Sequence, residues 1–428
     1  TGLNYTSLFS EVNCMKEIDI DKTVLSNGLS IVTSTRESDI FSIGVGIRVG
    51  SLYEDARHNG VSHIVEHMLF KGTGSRDIDK INDDIESLAG DFDIYTTYNE
   101  TVLSANIMKS RAEKCIEIIS DMLMNSSFLP KEFSMEKKVV VEEIKLEKDD
   151  PEDSAYIGLY KRVLPNSWRK LYITGSIKSV KSLNVKYAKE YYDKFYVPGN
   201  TVICIVSSYT HKEIVDMITR YFGNWQGAGN QVLHEREKGI FSQKYVSHKK
   251  GIGQAHILYG FDISGLSRKE EVALLLLNKK IGSGSNSVLF RELRDKKGYA
   301  YNVYSDMDII KGIRMFYIYA AVSKENIKNT LKAIDIVVDK FASGEIDFKS
   351  RSVQLMKDVF LTDTSASMES SAHTVDYLLE GELNYRNPSE YQKVLSIMEG
   401  INEDDIKDTA HDVLKNPFVY ILSPGGSV

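Results

Sequence analysis

Cysteine is nearly missing from this chain: 428 residues hold three, Cys14, Cys115 and Cys204. They share no metal or redox spacing. So sparse and odd a set excludes a disulfide-stapled scaffold and suits a reducing cytosol. Long apolar runs are missing too. Nothing approaches the roughly 20 consecutive apolar residues of a membrane span, and residues 1–20 lack the basic start and apolar core of a secretory signal. A cytoplasmic protein with no membrane partner is therefore expected. No basic block is present and the net charge is −7, which argues against nucleic acid as a partner. Phosphate cradles are absent: Gly282-Ser283-Gly284-Ser285 lacks the Gly-Lys-Ser/Thr of a P-loop, and Gly251-Ile252-Gly253 is too short to signal a dinucleotide. What remains is an ordinary globular composition, 42% hydrophobic and 26% charged, in a chain long enough for two or more domains.

Histidine is scarce as well, nine in all, yet two of them stand four apart in His63-Ile64-Val65-Glu66-His67. Val61, Ile64, Val65, Met68 and Leu69 follow the i, i+3, i+4, i+7, i+8 spacing of a buried helical stripe. His63, Glu66 and His67 then project together from the opposite face. Two imidazoles one turn apart can reach one metal ion, and Glu66 stands beside it as a base. Asn59-Gly60 supplies a start for this helix and Gly72 to Ser75 a stop. The order H-x-x-E-H is the inverse of the thermolysin-type motif and points to a zinc peptidase. The bland alternative is a pair of solvated histidines, which the scarcity of histidine makes the weaker reading.

A catalytic zinc site usually takes three protein ligands plus water. Residues 133–147 read as a second helix, entered after Pro130, on which Glu136, Val140, Glu143 and Glu147 share a face. Carboxylates gathered this way repel one another unless a cation sits opposite. A solvated charged surface explains them equally well, and Glu142 and Glu147 compete with Glu143 for the ligand role. His248 and His256 read as ordinary surface or strand residues, and the acidic run from Glu147 to Asp153 as a solvated helix end.

The stretch from Gly60 to Thr73, Gly-Val-Ser-His-Ile-Val-Glu-His-Met-Leu-Phe-Lys-Gly-Thr, resembles the active-site helix of the pitrilysin and mitochondrial-processing-peptidase family of zinc peptidases. The resemblance extends along most of the chain. Leu25-Ser26-Asn27-Gly28-Leu29 is similar to the family's opening turn, and Tyr196-Val197-Pro198-Gly199-Asn200 to the turn before the last strand of its first domain. It implies Glu143, 76 positions after His67, as the third ligand, and Glu136, two turns earlier, as the residue that orients the metal-water centre. The segment from Phe290 to Tyr301 resembles the family's substrate clamp, which implies that Arg294 and Tyr301 contact bound peptide. Structure alone would also explain that run, as a basic helix end turning into an aromatic strand. Two departures bear on specificity and leave the metal untouched. Asp93, in Ala89-Gly90-Asp91-Phe92-Asp93-Ile94, replaces a substrate-facing amide by a negative side chain, and the run from Lys170 to Gly175 lacks the usual Pro-Leu and arginine.

A weak internal repeat sets the expected architecture. Ile43, Val45, Ile47 and Val49 alternate as a strand, and so do Ala255, Ile257, Tyr259, Phe261 and Ile263. Each leads into a helix, two strands and a longer helix, over 110–124 and 324–342. The helix over 271–281 in the second copy carries no histidine. The expectation is an α+β chain of two homologous domains, each a largely antiparallel sheet packed with helices. Its divisions are an N-terminal extension over 1–14, a metal-binding catalytic domain over 15–225, a linker over 226–242 and a metal-free domain over 243–428 carrying the Arg/Tyr clamp. The functional expectation is a zinc endopeptidase with one Zn²⁺ per chain, held by His63, His67 and Glu143. Its extended peptide substrate adds a strand near residues 91–97. Since longer relatives carry both halves of the chamber in one polypeptide, a homodimer is expected, with a heterodimer with a paralogue as the alternative. The rival from another class is a catalytically silent partner subunit of a peptidase or precursor-processing complex.

Overall fold

A computed structural model describes residues 18–164, 172–229, 239–310, 313–346 and 348–425. The extension expected over 1–14 and most of the linker, 230–238, lie outside the described residues. Two sheets form the frame. The first contains β1 (Asp21–Val24), β2 (Ser30–Thr35), β3 (Ile40–Ile47), β4 (Asp91–Thr96), β5 (Thr101–Met108) and β6 (Thr201–Ser207), in the spatial order β1-β2-β6-β3-β5-β4. The second contains β7 (Lys244–Lys249), β8 (Ala255–Asp262), β9 (Ala300–Ile310), β10 (Ile313–Val322) and β11 (Phe418–Pro424), in the order β7-β11-β8-β10-β9.

From β2 onward the first order matches the second strand for strand, and β1 has no counterpart among the described residues. β2 runs parallel to β6 as β7 does to β11, and every other pairing in both sheets is antiparallel. The alternating residues Ile43, Val45 and Ile47 and their counterparts Ile257, Tyr259 and Phe261 all point into the cores beneath their sheets. The repeat in the sequence is therefore a repeat of topology. Its last member in each sheet is an edge strand, β4 in the first and β9 in the second.

Four helices build the site or join the two halves: α1 (Val61–Met68), α2 (Pro130–Asp149), α3 (Pro151–Val163) and α4 (Ser371–Glu380). The apolar stripe of α1 is completely buried on the first core, as its spacing predicts. The other sheet faces hold a finding that alternation alone does not predict. Each is covered by a helix from the opposite half. α4 lays Val375, Leu378 and Leu379 on Val32, Val102, Val202, Cys204 and Val206 of the first sheet. α3 reciprocally lays Ala155, Leu159, Tyr160 and Val163 on Leu258, Met315, Tyr317, Tyr319 and Tyr420 of the second. Gly44 and Gly46 of β3 make the first contact possible: a Cβ there would come within 2.6 Å of Val375 and of Leu383, respectively. Glu382, just past α4, anchors the junction through Lys22 at 2.7 Å and Arg48 at 3.5 Å. A fully buried Val or Leu contributes about 1.5–3 kcal/mol, so these exchanged helices bind the halves into one body. Among the described residues no helix is long and apolar enough to cross a membrane.

Candidate metal centre

α1 is a short helix with an unusual start. Its N-cap, Gly60, has φ 96° and offers no side-chain cap. A Cβ on Gly60 would meet the Thr174 carbonyl at 2.6 Å, so this close approach requires glycine. Glu54 performs the capping from outside the helix. Its carboxylate accepts from the backbone N–H groups of Gly60 and Ser62, both at 2.7 Å, and from Asn59 Nδ2 at 3.0 Å. These bonds satisfy donors that a helix N-terminus leaves open. Ser62 Oγ is 2.8 Å from Tyr191 Oη, which in turn donates to Gly50 O. The helix carrying the histidines is thus pinned at its origin.

One turn separates His63 from His67, with ring centroids 4.7 Å apart. Glu143 comes from α2, with Oε2 3.5 Å from His67 Nε2 and 3.9 Å from His63 Nε2. Ligand atoms bonded to one tetrahedral zinc at ~2.05 Å stand about 3.3 Å apart, so the trio is already near coordinating distance. Glu143 Oε2 is buried with no hydrogen-bond partner, a costly state for a carboxylate oxygen that a cation would relieve. Burial and the neighbouring His67 push the His63 imidazole down to about 3, keeping it in the neutral form a metal requires. The donor set fits zinc.

The rivals for the third ligand are engaged elsewhere. Glu142 is exposed and pairs with Lys145 at 2.7 Å, and Glu147 accepts from Thr174 Oγ1. Glu136 meets a histidine of the trio. Its Oε2 lies 2.9 Å from His67 Nδ1, which leaves Nε2 facing Glu143. Glu66 is buried beside the trio, its Oε2 accepting from Thr96 Oγ1 at 2.6 Å. Burial pushes the Glu66 carboxyl up to about 7, against the opposing Thr96 hydrogen bond.

The three residues expected to meet substrate are placed differently. Among the described residues nothing pairs with the outer edge of β4, and its side chains alternate: Phe92, Ile94 and Thr96 are half-buried, whereas Asp91, Asp93 and Tyr95 are exposed. Asp93 therefore lies on the opposite face of the strand from Thr96 and its bond to Glu66. Arg294 and Tyr301 are brought together in the second half, with the guanidinium 5.5 Å from the Tyr301 ring centroid. Tyr301 is 73% exposed at the start of β9. Within one chain, no hydrogen bond, ion pair or ring contact among the described residues joins them to the His63, His67 and Glu143 group.

Two family models match this chain. Residues 30–164 fit the insulinase (peptidase family M16) description, and residues 182–350 fit the peptidase M16 inactive domain. The chain belongs to the M16 peptidase family. His63, Glu66, His67, Glu136 and Glu143 fall inside the first match, and Arg294 and Tyr301 inside the second. The M16 relatives include an uncharacterized zinc protease of Rickettsia felis, 27% identical over 94% of this chain and 96% of its own length. An uncharacterized zinc protease of Bacillus subtilis is 25% identical, over 96% and 99%. Among solved structures, a protease from Helicobacter pylori superposes with TM-score 0.87 at 19% identity, covering 95% of this chain and all of that one. A peptidase M16 inactive domain from Pseudomonas fluorescens gives 0.85 at 18%, covering 96% and 99%. These likenesses show that the M16 fold is shared along almost the whole length.

Three residues of the centre escape a reading of the sequence: Glu54, Lys71 and Thr96. Lys71 Nζ is 3.1 Å from Glu136 Oε1. Its place four residues after His67 was the one available signal, since i and i+4 share a helix face. Glu54 and Thr96 act from a loop and a strand, where no periodicity marks them.

Proposed function

We propose that this chain is a zinc-dependent endopeptidase that cleaves peptides or short unfolded segments bound in extended form, within a chamber closed by a second copy. The observation that carries the reading is the orphaned Glu143 Oε2 converging with His63 and His67, beside a buried Glu66 at the foot of a free strand edge. When bound, zinc would polarise the scissile carbonyl and acidify a water molecule. Glu66 Oε1, the oxygen not engaged by Thr96, takes the proton of the attacking water and passes it to the leaving amine nitrogen. Glu136 holds the His67 tautomer. The free edge of β4 supports the extended binding mode, since unpaired N–H and C=O groups accept a peptide strand. Arg294 and Tyr301, which share no described contact with the trio of their own chain, are assigned to the peptide on the partner copy. A cytosolic setting accords with Cys115 and Cys204 being buried free thiols.

The test couples metal analysis to cleavage. Glu66→Gln keeps size and hydrogen bonding but removes proton acceptance, so zinc content stays at one per chain while peptide cleavage collapses. Glu143→Gln lowers zinc content and Glu142→Gln does not. A Glu66→Gln protein that cleaves at the wild-type rate defeats the reading. A wild-type chain that binds zinc and leaves every peptide intact favours the silent partner subunit instead.

A further inference from the structure

Strand β4 faces two ways. Among the described residues β5 is its only neighbour in the sheet and its outer edge is open, and its last residue donates the hydrogen bond that Glu66 accepts. We infer that Thr96 is a positioning residue for the base, holding Oε2 of Glu66 so that Oε1 faces the attacking water, and doing so from the strand that receives the peptide. The inference rests on the peptidase reading above.

Hydrogen counting carries the first step. A threonine hydroxyl has one hydrogen to give. Thr101 Oγ1 donates its own to Val49 O at 3.0 Å and so could only accept from Thr96 Oγ1, 3.2 Å away; the carboxylate at 2.6 Å is the nearer and stronger acceptor and takes the Thr96 hydrogen. At 2.6 Å that bond has the short length of a charge-assisted O–H···O⁻ contact. Thr96 is the only side chain donating to Glu66 among the described residues. A buried carboxylate with one donor has one oxygen fixed and one free, which is what a base needs.

Rigidity carries the second step. The branched Cβ of Thr96 limits its χ1 freedom. The turn after it is tied down by Thr97 N–H to Glu100 O at 2.7 Å, and by Ser51 and Leu52 N–H to the Thr97 and Tyr98 carbonyls at 3.2 and 2.9 Å. A peptide bonded along the free edge fixes β4 further, and with it the residue that aims the base. Substrate capture and base orientation then share one strand.

The experiment uses the full chain loaded with zinc, in four forms: wild type, Glu66→Gln, Thr96→Val and Thr96→Ser. The probe is an internally quenched peptide built on the main site that the wild type cuts in a β-casein peptide mixture. Thr96→Val keeps the shape and removes the donor, so kcat is expected to fall about 10- to 100-fold while KM stays within about twofold. Its zinc content, and the calorimetric affinity of the metal-free protein for the same peptide, stay at wild-type values. Thr96→Ser restores the hydroxyl, and kcat returns to within about threefold of wild type. A Thr96→Val protein with undiminished kcat overturns the assignment. So does a loss that appears in KM or zinc content instead, or a serine variant as impaired as the valine one. If the wild type cuts nothing, the peptidase reading falls and this inference with it. If the wild type cuts and Glu66→Gln does not, that reading stands and the Thr96 variants decide alone.

Discussion

Glu136 Oε2 sits 2.9 Å from His67 Nδ1, and Lys71 Nζ lies 3.1 Å from the other oxygen of the same carboxylate. The pair explains why the acidic face of α2 tolerates its own charge. Glu136, largely buried, spends one oxygen on a histidine N–H and one on an ammonium, and only Glu143 is left facing the imidazoles without a partner.

From this geometry Glu136→Ala frees the His67 ring to turn and to change tautomer. Zinc affinity is expected to fall roughly 10- to 100-fold. Glu136→Gln keeps an acceptor for Nδ1–H and loses only the charge, so its affinity falls less. Competition with a chelator, read by metal-sensitive dye, orders the three proteins. Equal affinities for wild type and Glu136→Ala would show that the contact is idle.

The shared face of the two histidines was legible in the sequence because helices have a period. His63 and His67 at i and i+4, over an apolar stripe at helical spacing, determine which side faces away from the core. The choice among Glu142, Glu143 and Glu147 was not legible in the residues alone, because it depends on where Lys145 and Thr174 sit to engage the other two. The family resemblance made that choice, and the structure sets Glu143 beside both imidazoles. The alternation of Ile43, Val45 and Ile47 revealed a strand and its core face. It did not reveal that Gly44 and Gly46 seat α4, since a glycine reads the same facing water or facing a helix from 330 residues away. Asp93 shows the same limit. Its identity is plain in the sequence, but the strand face it occupies depends on the register of β4 against β5.

Glu54 offers a second test, of stability. It replaces the missing side-chain cap of α1 by accepting from two backbone N–H groups, and it is buried. Glu54→Ala leaves those donors buried and unsatisfied, at a cost of about 1–3 kcal/mol. Urea unfolding measures the loss, and a lower zinc affinity accompanies it because His63 comes directly after the capped turn. A variant within 0.5 kcal/mol of wild type, roughly the size of an ordinary surface change, would show that the cap contributes nothing.

The seam between the halves carries a pH dependence. Tyr160 of α3 donates to Asp308 of β9, and burial pushes the Asp308 carboxyl up to about 6. The unfolded chain releases that proton near pH 3.9, so the folded state is the better proton binder between the two values. The stabilising contribution of this group is therefore full below about pH 4 and lost as pH rises through about 6. Asp308→Asn keeps an acceptor for Tyr160 and has no charge to bury. It is expected to be more stable than wild type at pH 7.5, by on the order of 1–2 kcal/mol after allowing for partial solvent screening, with the gap closing toward pH 4. Urea midpoints at the two pH values measure it, and a gap that stays constant would rule Asp308 out as its source.

Assembly gives the last prediction. The metal trio belongs to the first half of the chain and the Arg294/Tyr301 pair to the second, and no described contact joins them within one copy. If the pair serves the peptide bound at the partner's metal, each active site draws on two subunits. A Glu66→Gln chain and an Arg294→Ala chain are then each expected to be nearly inactive alone. Mixed, they form dimers in which one site combines an intact Glu66 with an intact Arg294 from the other copy, while the second site has lost both. If subunits exchange freely in an equal mixture, half of the dimers are mixed and each has one working site. Activity should then climb to about a quarter of the wild-type level. Exchange is followed separately, by energy transfer between differently labelled subunits. Energy transfer without any rise in cleavage would eliminate the shared site, and it would leave Arg294 and Tyr301 to act, if at all, within their own chain.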